Sequence, residues 1–149
     1  MKYVVEFKDE YKDDIARFAS SGVIVSKHPS FNLSNGIGIF VNTNKILKSQ
    51  YKFYISLDTK KIPNGAICID KEGNVLLLAI AKSEVNNSLP KLLQKCDELL
   101  AAKKYDSIRA RVDVQFILNF NEVGYKTIRF LEGDTSQFNF LVEKPVLTN

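Results

Sequence analysis

The sequence predicts an α/β (mixed α+β) protein: a central twisted mixed sheet of about six or seven strands flanked by helices. Three observations carry this. Residues 52–82 hold three strand-like segments, the last almost continuously apolar. Residues 89–104 repeat apolar side chains at helical spacing, and an alternating strand, a short helix and two closing strands follow.

In order along the chain, Tyr3 to Phe7 alternates and is rich in β-formers, which predicts a first strand. Asp9 to Ala19 carries Tyr11, Ile15, Phe18 and Ala19 on one helical face, with acids at its start and Gly22 beyond its end. Val23-Ile24-Val25 suits a short strand or a turn. Residues 26–51 are punctuated by Pro29, Asn35, Gly36 and Gly38, with a short helix expected over Thr43–Ser49. Lys52–Asp58 and Gly65–Asp70 read as strands, and Lys71-Glu72-Gly73 as a tight hairpin turn with glycine where φ must be positive. Asn74–Lys82 contains Val75, Leu76, Leu77, Leu78, Ala79, Ile80 and Ala81, a run that fits a central strand buried on both faces.

Ser83–Ser88 is a polar loop. The helix after it presents Leu89, Leu92, Leu93, Cys96, Leu99 and Leu100 along one stripe, with Ser88 as the expected N-cap and Pro90 in the first turn. Ser107–Asp113 alternates Ile108, Ala110 and Val112 against Arg109, Arg111 and Asp113. Val114–Val123 suits a helix stopped by Gly124, and strands Lys126–Leu131 and Phe138–Lys144 close the chain around a hinge at Glu132-Gly133-Asp134.

Composition narrows the function classes. One domain spanning 1–149 is expected at this length, and 10 Phe and 6 Tyr can fill a core without disulfides. No segment approaches the ~20 apolar residues of a membrane span. The opening Met1-Lys2-Tyr3-Val4-Val5-Glu6 lacks a secretory h-region, so a cytoplasmic location is expected, with Cys68 and Cys96 as reduced core thiols. A lone His28 without cysteine neighbours argues against zinc, and no metal is expected. The net charge of +4 suits an anionic partner without choosing between a phosphorylated cofactor and a nucleic acid.

The order of meander, long helix, strand, short helix and closing strands, with the stretch Tyr105–Val112 and then Phe116–Lys126 ending in Gly124-Tyr125, resembles the GNAT superfamily of acyl-CoA-dependent N-acyltransferases over about two-thirds of the chain. The resemblance implies that strands 74–82 and 107–113 splay. Acyl-CoA pantetheine would then enter the gap and pair with the backbone of Leu78, Ala79, Ile80 and Ala81. It implies a pyrophosphate cradle at Asn86, Asn87 and Ser88, where a helix start offers free N–H groups and a favourable dipole.

The same alignment puts Glu84 where the family carries Arg or Gln, Asn87 and Leu89 where it carries small residues, Phe120 at the position of a proton-donating Tyr, and Asp113 at that of an Asn. No Glu lies in strand 74–82 to act as base, so no catalytic residue is assigned. Tyr125 is an acid or a core aromatic. Asn119 and Asn121 are carbonyl polarisers or surface amides. Arg109 and Arg111 form an anion stripe or pair across strands.

Two functions are therefore expected. One is a divergent N-acyltransferase moving an acyl group from acetyl-CoA or another acyl-CoA to a small-molecule or protein amine. The other is an inactive GNAT-fold binding module engaging a protein or a nucleic acid. Neither reading involves a membrane, and the oligomeric state is open.

Overall fold

The computed structural model describes residues 3–29, 31, 51–131 and 137–146. Its strands are β1 (Val4–Glu6), β2 (Val23–Lys27), β3 (Tyr51–Leu57), β4 (Pro63–Asp70), β5 (Val75–Ile80), β6 (Ser107–Val112), β7 (Lys126–Phe130) and β8 (Phe140–Pro145). Helix α1 covers Lys12–Ser21, α2 Val85–Ala101 and α3 Ile117–Glu122. The eight strands form one sheet in the order β1-β3-β4-β5-β2-β6-β8-β7.

The sheet thus has eight strands against about six or seven expected, and Val23–Val25, open between strand and turn, proves to be the start of strand β2. Its apolar run of three residues is too short to show a period. What makes it a strand is pairing on both sides with partners far along the chain.

Apolar side chains on the two faces of the sheet build two cores. On one face Ile15 and Phe18 of α1 pack with Phe53, Ile55, Leu77 and Ala79. On the other, Leu89, Leu92, Leu93 and Cys96 of α2 and Phe120 of α3 pack with Tyr54, Ile67, Leu78, Ile80, Ile108 and Val112. Strand β5 serves both cores, as its unbroken apolar run predicts.

Several boundaries differ from expectation, including the start of β4 at Pro63 and the end of α2 at Ala101 instead of 104. Helix α2 begins at Val85, with Glu84 as N-cap and no side-chain capping bond, so Pro90 lies inside the helix rather than in its first turn. The expected helix over 114–123 divides into a 3₁₀ turn, Val114–Phe116, and α3. Asp113 causes this by accepting a hydrogen bond from the Gln115 N–H at 3.1 Å, which tightens the entry. Asp9–Tyr11 is likewise a 3₁₀ turn ahead of α1. The expected helix at 43–49 and the hinge at 132–134 lie outside the described residues. Among the described residues, no helix is long and apolar enough to cross a membrane, and no cluster of His, Cys, Asp and Glu could hold a metal ion.

Candidate functional site

The expected splay exists, and its apex is built from a glycine turn. Gly73 has φ +92°, and a Cβ there would collide with the Ser107 carbonyl. This lets the β4–β5 turn lie against the start of β6. The Arg109 N–H donates to the Gly73 carbonyl at 2.8 Å, and Asn74 bridges Arg109 in a parallel sense. The Arg109 guanidinium then donates to Asn74 Oδ1 at 3.2 Å, the Glu72 carbonyl at 3.1 Å and Ser107 Oγ at 2.8 Å, and reaches Glu143 Oε2 at 3.4 Å. Arg109 is therefore the staple of the apex, not part of an open anion stripe.

From this apex β5 and β6 diverge, and β2 occupies the wedge between them. Val23 pairs with Ile80, Ile24 with Ala79, Ser26 with Leu78 and Lys27 with Leu77, all antiparallel. On its other side Ser26 pairs with Val112, and the Asp113 N–H donates to the Val25 carbonyl at 3.2 Å. Past β2, the His28 N–H still donates to the Leu76 carbonyl at 3.0 Å. Burial, then the nearby Arg111 charge, lowers the His28 pKa. Val25 and Ser26 are fully buried. Gly22 makes this entry sterically feasible, because a Cβ there would collide with the carbonyls of Ile80 and Phe18.

The residues expected to face a cofactor are thus placed as follows. Leu78, Ala79 and Ile80 are paired with β4 on one side and with β2 on the other. The Ala81 N–H donates to the Asn64 carbonyl at 2.9 Å. Ala81 also lines an open pocket of about 380 Å³ with Arg17, Phe18, Gly22, Lys82 and Ser83. At the helix start Asn86 is exposed, and Asn87 Nδ2 donates to Glu84 Oε2 at 2.9 Å. Ser88 points inward rather than capping: its hydroxyl lies 2.5 Å from Ser56 Oγ, which donates to Asn64 Oδ1 at 2.7 Å.

No family model matches the chain, and no curated protein matches it in sequence. Solved structures do match its fold. An acetyltransferase of the GNAT family from Staphylococcus aureus Mu50 superposes with a TM-score of 0.68 at 15% identity, covering 97% of this chain and 98% of that one. Spermidine N-acetyltransferase from Vibrio cholerae, solved with CoA and spermine, gives 0.71 at 11% identity, covering 94% and 91%. Aminoglycoside 6'-acetyltransferase type Ii gives 0.67 at 13%, covering 98% of each chain.

The chain has the GNAT fold.

Acyl-CoA in a GNAT fold needs an open inner edge on the strand equivalent to β5 and an approachable helix start. Here the residues do not fit that group. β2 holds the inner edge, Ser88 is turned into the core, and the Glu84 carboxylate stands at the helix N-terminus, where it would repel a pyrophosphate. Leu89, aligned with a small family residue, is buried in the core instead of in a ligand path.

The acid and amide positions fare similarly. Phe120 is buried and meets the Tyr125 ring edge-on at 5.2 Å. Tyr125 is buried beside Cys96. Burial, reinforced by that thiol, raises its pKa far above the usual phenol range. It is a core aromatic. Asn121 Nδ2 donates to the Tyr125 carbonyl at 2.9 Å, and Asn119 is exposed. Asp113 is engaged by Gln115 and by Gln137, whose Nε2 donates at 3.0 Å.

Sequence reasoning missed β2 as a wedge-filling strand. It also missed a cavity of about 360 Å³ on the α2 side, which gathers lysines and tyrosines from separate segments. Their types are visible in the sequence, but their convergence is not.

Proposed function

We propose that this chain is a GNAT-fold binding module, a member of the architecture whose acyl-CoA wedge has been taken over by its own strand. The observation that carries this is the register of β2: Val23 to Lys27 occupies the Ile80–Leu77 backbone that an acyl-CoA pantetheine would need. The departures at Glu84 and Phe120 support it, because they leave neither a welcoming helix start nor a phenolic proton donor.

A second reading, a divergent N-acyltransferase acting on an amine, is favoured by the intact splay and by full-length likeness to acetyltransferases. It requires β2 to leave the wedge.

Thermal shift with acetyl-CoA and S-acetylpantetheine, alongside acetyl transfer to spermine, separates the two. S-acetylpantetheine lacks the nucleotide and so reports on the wedge alone. A ligand at 100 times its dissociation constant stabilises by about 2.7 kcal/mol. The binding-module reading expects no shift with millimolar S-acetylpantetheine and no transfer. A shift with it, or turnover of any amine, overturns the proposal in favour of the enzyme.

A further inference from the structure

The cavity on the α2 side lies away from the wedge, between the C-terminal half of α2 and the β1–β3 side of the sheet. Four lysines line it: Lys52 from β3, Lys71 from the β4–β5 turn, Lys95 from α2 and Lys104 just beyond α2. Cations near a helix C-terminus complement its dipole, which accounts for Lys104 but not for Lys52 and Lys71 on β-elements. Among the described residues of the wall Glu6 is the one carboxylate, 3.7 Å from Lys52 Nζ, and Asp70 stands near enough for its charge to act on Tyr105. Lys95 sits over the Tyr54 ring at 5.2 Å and 3.8 Å from Glu98. Among the described residues, Lys71 and Lys104 have no carboxylate partner. The lysines outnumber the carboxylates around this concavity, and that excess of positive charge favours an anion there.

The wall also carries Tyr54 and Tyr105. Burial is the first cause raising both phenol pKa values, so each hydroxyl stays protonated and able to donate. Tyr105 is half-buried, leaving part of its ring accessible from the cavity. Aromatic surfaces of this kind take a base by stacking. The volume falls in the range of small-molecule sites and suits one nucleotide rather than a polymer.

We propose that this Lys52–Lys71–Lys95–Lys104 cavity, with Tyr54 and Tyr105 in its wall, binds a small nucleotide carrying two or more phosphates. The lysines take the phosphates and Tyr105 the base. This deepens the binding-module reading by naming a ligand class, yet the site stands whether or not the wedge accepts acyl-CoA.

Calorimetric titration of the full chain with ADP, inorganic pyrophosphate and adenosine tests it. ADP is expected to bind saturably and more tightly than either fragment. Exposed Lys71 and Lys104 can be changed without disturbing the core, and Lys71→Glu with Lys104→Glu is expected to weaken ADP at least about tenfold. Tyr105→Ala should weaken ADP by about 5- to 150-fold while leaving pyrophosphate unchanged, the range that loss of one base stack implies. Variants are compared at equal Tm, so that a folding defect is not mistaken for lost binding. Absence of saturable ADP binding at millimolar concentration overturns the proposal, as does ADP binding indifferent to the double charge reversal. Pyrophosphate binding as tightly as ADP overturns the nucleotide assignment. A thermal shift with S-acetylpantetheine overturns the binding-module reading alone.

Discussion

At the scale of single residues, the clearest constraint is a close approach in the core. Gly65 faces the hydroxyls of Ser88 and Ser56, and a Cβ there would collide with Ser88 Oγ. Both serines are held by hydrogen bonds and fully buried, so neither can swing away. Gly65→Ala is expected to cost about 1–3 kcal/mol in urea denaturation. Adding Ser88→Ala should recover part of that loss, because the obstacle is the Ser88 oxygen; additive losses would refute the contact. The buried thiols make a second residue-scale prediction. Burial pushes Cys96 from the ordinary 9.0 up to about 12, and Cys68 and Tyr125 move the same way. The folded state holds these protons more tightly than the unfolded one. Their stabilising contribution is therefore complete below pH 9 and drains as pH rises towards 12. Tm should fall steeply above pH 9 and less steeply in Cys96→Ala; a flat profile would contradict the assignment.

At the scale of elements, local patterns made β3, β4, β5 and α2 legible, because each carries its own period or apolar run. The limits of α2 were not, since Ser88 has the residue type of a cap but is drawn inward by Ser56, which in turn donates to Asn64. The segment Val23–Val25 left strand and turn both open, and the extent and place of β2 were hidden for a different reason. Ser26 and Lys27 are polar, and the strand exists only through Leu77–Ile80 and Val112, which lie at least 50 positions later in the chain than the residues they pair with. Its anchorage depends on Gly22. Gly22→Val places bulk against the Ile80 and Phe18 carbonyls, and both are backbone atoms that cannot yield cheaply. Amide hydrogen exchange should then accelerate by orders of magnitude at the paired positions of β2 while the β3–β4 ladder stays protected. Equal protection in both proteins would show that β2 does not rely on that glycine. If the displaced strand also lets S-acetylpantetheine bind, the wedge itself has kept its affinity.

At the scale of the whole molecule, the splay was implied by the family resemblance, whereas its occupant was not. The site that the resemblance implied, at Leu78–Ala81 and Asn86–Ser88, depends on what lies beside it, and neighbours across the sheet leave no trace in local spacing. The lysine and tyrosine cavity was hidden for the same reason: Lys52, Lys71, Lys95 and Lys104 belong to no run of like charge. Among the described residues, the two halves of the sheet, β1-β3-β4-β5 and β6-β8-β7, are joined within the sheet by β2 and by the contacts of Arg109 with Glu72, Gly73 and Asn74. A vacant wedge would leave the apolar strand β5 with a row of unpaired amides and carbonyls. Such a strand is a template for the same strand in another copy of the chain. Holding β2 there therefore protects against self-association. Gly22→Val should scatter light in a concentration-dependent way under conditions where the unaltered chain does not, and an equally clear solution would refute this. On this view the five residues of β2 act as a built-in gatekeeper, covering in every molecule the inner edge of β5.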